Sequence, residues 1–395
     1  MMSNKDSARN YRSSRETAAA QALGRVDERT RAVVGPIHLS STFIRDPDNQ
    51  YRSGFSYGRA DNETVRELEA VLAMLEDAES AMAFGSGMSA AVAVFAALPP
   101  GSRVLAPTVM YWALRNWLAD DARNLGLQVD FVDMADLAKV SAAVAARPTQ
   151  LIWIETPSNP LWNVVDIAGV AEIAHSACAK LIVDSTCASP VLTRPLALGA
   201  DIVMHSASKY LNGHSDVIAG VLATRSKDEL WAKISRVRSS HGMLLGPFEA
   251  FLVIRGIRTL HLRVRASCAT ALDLARRFSR HAAVAEVLYP GLPSHANHAL
   301  AARQMVGGFG GMLSIRVHGG EAAAIATAAQ VHLWKRATSL GGVESLIEHR
   351  ASIEGVGTPC PPDLLRLSCG IETVEDLFSD LEQALRHSQM HSHAS

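Results

Sequence analysis

Four stretches between residues 151 and 224 decide the fold: LIWIETPSNP (151–160), LIVDST (181–186), DIVMHSASKYLNGHSD (201–216) and IAGVLAT (218–224). LIWIE and LIVD are apolar without interruption, whereas a strand exposed on one face alternates polar and apolar residues. They predict strands covered on both faces. Working outward, the runs AMAF (81–84), RVLAP (103–107) and VDFVD (129–133) have the same character, and most are separated by helical segments such as the amphipathic 63–75. This alternation predicts an α/β fold, a mostly parallel sheet wrapped in helices. From residue 246 the pattern changes to one long helical stretch, 248–281, followed by strands at GMLSIRV (311–317) and LLRLSCG (364–370) and helices at 321–329 and 373–386. The expected division is an arm at 1–61, a large domain at 62–245 and a smaller α+β domain at 246–395. The arm is polar and Arg-rich, with a helix predicted at 15–23, and its expected partner is another subunit. GGFGG (307–311) precedes a strand rather than a helix, so it reads as a turn and not as a phosphate cradle.

Among the 395 residues, 38 Lys and Arg face 39 Asp and Glu, for a net charge of -1, so no overall field favours nucleic acid or an anionic membrane. With 48% hydrophobic and 19% charged residues the chain can bury a large core. No apolar run approaches the roughly 18 residues of a membrane span, and the opening residues resemble no signal peptide, so a cytosolic protein is expected. Five cysteines (178, 187, 268, 360 and 369) are widely spaced and odd in number, which predicts reduced, mostly buried thiols. His387, His391 and His393 follow the last predicted helix in a polar terminus, and no metal site is assigned there.

In a parallel sheet, ligands collect beyond the carboxyl ends of the strands. There LIWIE runs on to Asn159, LIVD ends in Asp184, and DIVMHS continues to Ser206, Ser208 and Lys209. A single strand-end acid is usually a turn former, and a single lysine is usually solvated. Together, an acid and a lysine one or two strand spacings apart, flanked by hydroxyls, suit pyridoxal phosphate. The lysine amine forms the Schiff base, the carboxylate keeps the ring nitrogen protonated, and hydroxyls and backbone donors hold the phosphate. FGSGMSA (84–90) adds a Gly-Ser-Gly turn opening a helix, whose first N–H groups suit an anion.

FGSGMSA, ETPSNP, VDST, SASKYLNGHSDVIAG and SLGGVESLIEH (339–349), in chain order, resemble the Cys/Met-metabolism family of pyridoxal-phosphate enzymes over about residues 36–385. The resemblance implies a fold-type-I enzyme with a seven-stranded large sheet and a smaller C-terminal domain. It makes Lys209 the Schiff-base lysine and Asp184 the partner of the ring nitrogen. Ser206, Ser208 and the N–H groups of Gly87 and Met88 are then the phosphate ligands. Tyr57 and Arg59, in GFSYGRADNET (54–64), match a Tyr-x-Arg that reaches the phosphate of a neighbouring subunit, which implies a dimer with shared sites and, by family likeness, a tetramer. Tyr111 matches the tyrosine stacked on the ring, Arg366 the grip on the substrate α-carboxylate, and Asn159 and Ser339 its network.

The sequence departs from the family pattern around the substrate. Thr338 stands where a glutamate is frequent, Trp112 and Ala113 replace Gly-Gly, and Asn116 replaces an arginine and is preceded by Arg115. Glu63 replaces a proline, and Arg350 stands where proline is usual. The expected activity is a carbon–sulfur lyase, eliminating at the β or γ carbon of L-cystathionine or a related sulfur amino acid. The alternative is a γ-replacement synthase joining an O-acyl-homoserine to cysteine or another nucleophile, and the remote one is a noncatalytic scaffold.

Overall fold

The computed structural model describes residues 14–392 apart from residues 60 and 356. Its large sheet contains β1 (Ser80–Phe84), β2 (Arg103–Pro107), β3 (Gln128–Val132), β4 (Leu151–Glu155), β5 (Lys180–Asp184), β6 (Ile202–Ser206) and β7 (Gly220–Thr224). The strand order is β1-β7-β6-β5-β4-β2-β3, with β7 antiparallel to both neighbours and the other pairs parallel. This is the mostly parallel sheet that the apolar runs predicted, with the seven strands that the family resemblance implied. Every residue of β4 is buried, and its side chains divide between two cores. Leu151 and Trp153 join Phe95 and Leu114 on one face; Ile152 and Ile154 join Val170, Leu181 and Ile257 on the other. Each such aliphatic side chain removed from water contributes about 1.5–3 kcal/mol, which is why these strands need no polar face.

The helix Glu63–Glu76 starts where the Asn62 side chain accepts from the Thr64 and Val65 N–H groups and ends at Asp77 in a left-handed conformation. Val65, Leu68, Leu72 and Leu75 supply its buried stripe. Residue 63 therefore serves as the first helical position, where the proline that it replaces would also fit.

The smaller sheet orders β8 (Val284–Leu288), β9 (Met312–Val317), β10 (Lys335–Arg336), β11 (Leu346–His349) and β12 (Leu364–Ser368) as β10-β11-β12-β9-β8. Leu313, Ile315, Ile347, Leu365 and Leu367 pack on Leu274, Phe278, Leu377 and Leu381 from the covering helices. Alternation turns the intervening Ser314, Glu348 and Arg366 to the opposite face, in cross-strand register with one another. On that face Trp162 Nε1, from beyond β4, donates to Ser314 Oγ at 2.8 Å, tying the two sheets together.

Three helix expectations need correction. The first helix is only Arg15–Ala20, followed by a 3₁₀ turn at Ala22–Gly24 with Leu23 at φ 62°. The long stretch breaks into Pro247–Ile257 and Leu260–Phe278, because buried Arg263 reaches back to donate to the Gly256, Tyr210 and Leu211 carbonyls. The last helix, Val374–Ser392, runs past residue 386. Buried Ser388, paired with Thr327 Oγ1 at 2.9 Å, anchors its final turns, so His387 and His391 lie within it; His393 is outside the described residues. The 307–311 segment is a packed turn, as expected: a Cβ on Gly308 would meet Cys268 Sγ at 2.9 Å. All five cysteines are free, and Cys178 alone among them is exposed. No described helix is long and apolar enough to cross a membrane.

Candidate active site

Parallel pairing of β4 with β5 and of β5 with β6 sets Glu155, Asp184 and the turn Ser206–Lys209 along one edge, Asp184 one strand from Ser206. Asp184 is buried, and its Oδ1 accepts from the Thr186 N–H at 3.0 Å and the Thr186 hydroxyl at 2.6 Å. Loss of water raises its carboxyl above the usual range, against the lowering effect of those hydrogen bonds. Glu155, its register partner, is also buried and is pushed up to about 8, by desolvation first and by Asp184 second. Two desolvated carboxyls on adjacent strands form a place where a cationic N–H is welcome.

Lys209 emerges from the turn after β6, and its Nζ donates to Ser339 Oγ at 2.8 Å. Burial, then the Arg366 guanidinium, lowers its amine from 10.5 to about 8. Arg366 is itself buried, with Nη2 donating to the Ser339 carbonyl at 2.9 Å and Nη1 to Asn159 Oδ1 at 3.3 Å. Lys209 and Arg366 are thus held by the two ends of one residue. Ser339 sits at φ 89°, a conformation that leaves its side chain and carbonyl to different partners. The following Gly341 lies against Tyr210, where a Cβ would come within 2.8 Å of the Tyr210 nitrogen.

The helix Gly87–Ala96 begins at Ser86, whose hydroxyl accepts from the Ser89 N–H at 2.9 Å. Its first backbone bond runs from Ala90 N–H to the Ser86 carbonyl, so the Gly87 and Met88 N–H groups precede it and are available to an anion. A Cβ on Gly87 would meet Ser206 Cβ and Oγ at 2.9 Å, so the glycine leaves the space beside Ser206 open. Ser208 is more committed than expected, its hydroxyl accepting from the Ala219 N–H at 2.9 Å. Its own proton reaches the Ala219 carbonyl at only 3.3 Å and is the part free to turn to a phosphate. Buried acids, a lysine, a half-exposed tyrosine ring and an open helix N-terminus together fit a phosphorylated pyridine aldehyde.

Tyr111 precedes the helix Trp112–Asp120, with its N–H on Glu155 Oε2 at 2.7 Å and its ring edge-on to Trp112. Burial raises its phenol above the ordinary value. Tyr57 and Arg59 lie elsewhere: Tyr57 is 48% exposed and the Arg59 guanidinium covers its ring at 5.4 Å. Among the described residues no hydrogen bond or ion pair joins either to the cluster around Lys209. Arg115 does not stand in for the residue missing at Asn116, since its Nε donates to the Thr108 carbonyl and its guanidinium lies over Phe131. Thr338 is exposed.

Residue reading did not single out Glu155, Thr186 or Glu348. Glu155 accepts both the Tyr111 and Asn159 N–H groups, at 2.7 and 2.8 Å, and ends an apolar strand as Asp184 does, which was a legible signal. Thr186 also accepts from the Ser206 N–H at 2.8 Å, joining the ends of β5 and β6. Glu348 pairs with Arg366 at 2.6 Å, a contact made by cross-strand register and invisible in one strand alone.

The family model described as Cys/Met metabolism PLP-dependent enzyme matches residues 16–386. The chain is 45% identical to the cystathionine gamma-synthase of Mycobacterium tuberculosis, over 93% of this chain and 96% of that one. It is 40% identical to the cystathionine gamma-lyase of Dictyostelium discoideum, over 91% and 94% of the two chains. The crystal structure of cystathionine gamma synthase from Xanthomonas oryzae in complex with cystathionine superposes with a TM-score of 0.92 at 38% identity, covering 96% of this chain and all (100%) of that one. With its large mixed sheet and smaller α+β domain in the fold-type-I arrangement, this chain belongs to the Cys/Met-metabolism family of pyridoxal-phosphate-dependent enzymes.

Proposed function

We propose that the chain binds pyridoxal phosphate through Lys209 and activates L-amino acids that carry a sulfur or acyloxy leaving group on the β or γ carbon. The observation that carries this reading is the bridge at Ser339, with Lys209 Nζ on its hydroxyl at 2.8 Å and Arg366 Nη2 on its carbonyl at 2.9 Å. A substrate gripped by its α-carboxylate at Arg366 has its α-carbon beside the Lys209 amine. The cofactor would supply an electron sink for that carbon. Asp184 would hold the ring nitrogen as a cation, Tyr111 would lie on the ring, and Ser206, Ser208, Gly87 and Met88 would hold the phosphate.

Lys209 would be suited to take the proton from the substrate α-carbon, because burial and Arg366 keep its amine near 8. For a γ leaving group it would take a β-proton as well. Asn159 accepts a hydrogen bond from Arg366, and Glu155 holds the backbones of Tyr111 and Asn159. We further propose that Tyr57 and Arg59, which make no hydrogen bond or ion pair with their own chain's cluster, complete the phosphate site of a second subunit.

Between outcomes, the identity to the M. tuberculosis synthase favours γ-replacement, cysteine capturing an activated homoserine. The exposed Thr338, which offers no charge to a distal amino group, counts against a standard cystathionine-forming enzyme. Incubation with L-cystathionine, and separately with O-acyl-L-homoserine with and without L-cysteine, separates them. A synthase forms cystathionine when cysteine is present; a lyase releases 2-oxobutyrate or pyruvate from cystathionine; neither product refutes both.

A further inference from the structure

Arg366 does not wait empty for a carboxylate. Its Nη2 donates to the Ser339 carbonyl at 2.9 Å and forms an ion pair with Glu348 Oε2 at 2.6 Å. An incoming carboxylate that seeks two-point contact across the guanidinium meets Glu348 already in place, and two carboxylates cannot share one desolvated position. Glu348 has somewhere to go. Arg350, two residues along, is 1% exposed, and its Nη1 donates to the same Glu348 Oε2 at 3.0 Å. Two buried atoms of this pair, Glu348 Oε1 and Arg350 Nη2, have no hydrogen-bond partner among the described residues. A turn of the Glu348 carboxylate away from Arg366 would match these two orphans and create a fork-to-fork pair. Arg350 is fixed to receive it, since its Nε donates to Glu354 Oε1 at 2.8 Å and Glu354 is held in turn by the Thr358 hydroxyl. Proline, usual at this position in the family pattern, has no group that could receive a carboxylate.

We propose that Glu348 is a displaceable ligand of Arg366 and Arg350 its receiver. The substrate α-carboxylate takes Arg366 Nη2 while Glu348 swings into a two-point pair with Arg350. Arg350 is therefore a positioning residue. The swap rests on Arg366 being the α-carboxylate grip. It adds discrimination, because an amine without a carboxylate does not displace Glu348.

The direct test is a crystal structure of the unmodified, cofactor-loaded protein with bound glycine, which has no leaving group. Both Glu348 oxygens on Arg350, and Arg366 Nη2 on the glycine carboxylate, is the expected result; Glu348 still on Arg366 overturns the proposal. In solution, glycine and methylamine are titrated against the cofactor absorbance. Arg350→Met should weaken glycine binding about tenfold or more while leaving methylamine unaffected, and adding Glu348→Gln should recover most of the loss. If Arg366→Ala leaves glycine binding intact, the carboxylate grip itself is wrong. If Arg366→Ala weakens it and Arg350→Met does not, only the swap fails. Should Arg350→Met not fold, the crystal structure decides alone.

Discussion

Replacing Lys209 by methionine should abolish turnover and make the cofactor-free protein more stable. Burial and the Arg366 and Arg350 guanidinium groups hold the Lys209 amine at about 8 instead of 10.5, a difference of about 3 kcal/mol against the charged form. Methionine fills similar space without charge. It loses the hydrogen bond to Ser339 Oγ, which is worth about 0.5–1.5 kcal/mol. The net expectation is a gain of about 2 kcal/mol near pH 7. Below about pH 8 the lysine is charged in both folded and unfolded chains, so the penalty is complete there. Between about 8 and 10.5 the unfolded chain binds a proton that the folded one has lost; the unmodified protein then gains stability with pH and the difference closes. Urea unfolding of both proteins, cofactor-free, at equal protomer concentration and at pH 7 and about 10.5, measures it. A variant less stable than its parent at pH 7, or a difference indifferent to pH, would refute the reasoning.

Gly87→Ala should fold yet hold cofactor at least about tenfold more weakly, because its methyl group would lie 2.9 Å from Ser206 Oγ; equilibrium dialysis against pyridoxal phosphate reads this. Ser339, at φ 89°, should tolerate glycine in thermal unfolding and lose about 1–3 kcal/mol as valine, while Ser339→Gly lowers turnover through the lost Lys209 contact. If sites are shared between subunits, mixing and reassembling Arg59→Ala with Lys209→Ala protein should restore about a quarter of full activity, since half of the dimers are hybrids with one intact site each. No recovery on mixing would place both residues in one chain's site or exclude the phosphate role of Arg59.

The large sheet was legible because burial on both faces leaves a signature that no other strand environment produces, as in LIWIE and LIVD. Lys209 and Asp184 were legible as polar residues closing such strands. The smaller sheet was half legible: GMLSIRV and LLRLSCG alternate, but β8, with its bulge, and two-residue β10 carry too little pattern. The helix break after Ile257 depends on Arg263 meeting carbonyls about fifty residues away in sequence, which periodicity cannot report. Arg350 was visible only as a departure; its burial between Glu348 and Glu354 belongs to tertiary structure. Charged residues at strand ends could be read singly, whereas their pairing required the register.

The most direct test of the central claim is to load the protein with pyridoxal phosphate, reduce it with borohydride and map the modified peptides by mass spectrometry. The account predicts a reduced pyridoxyl group on Lys209, and none in Lys209→Met. Modification of a different lysine, or of none, would contradict it.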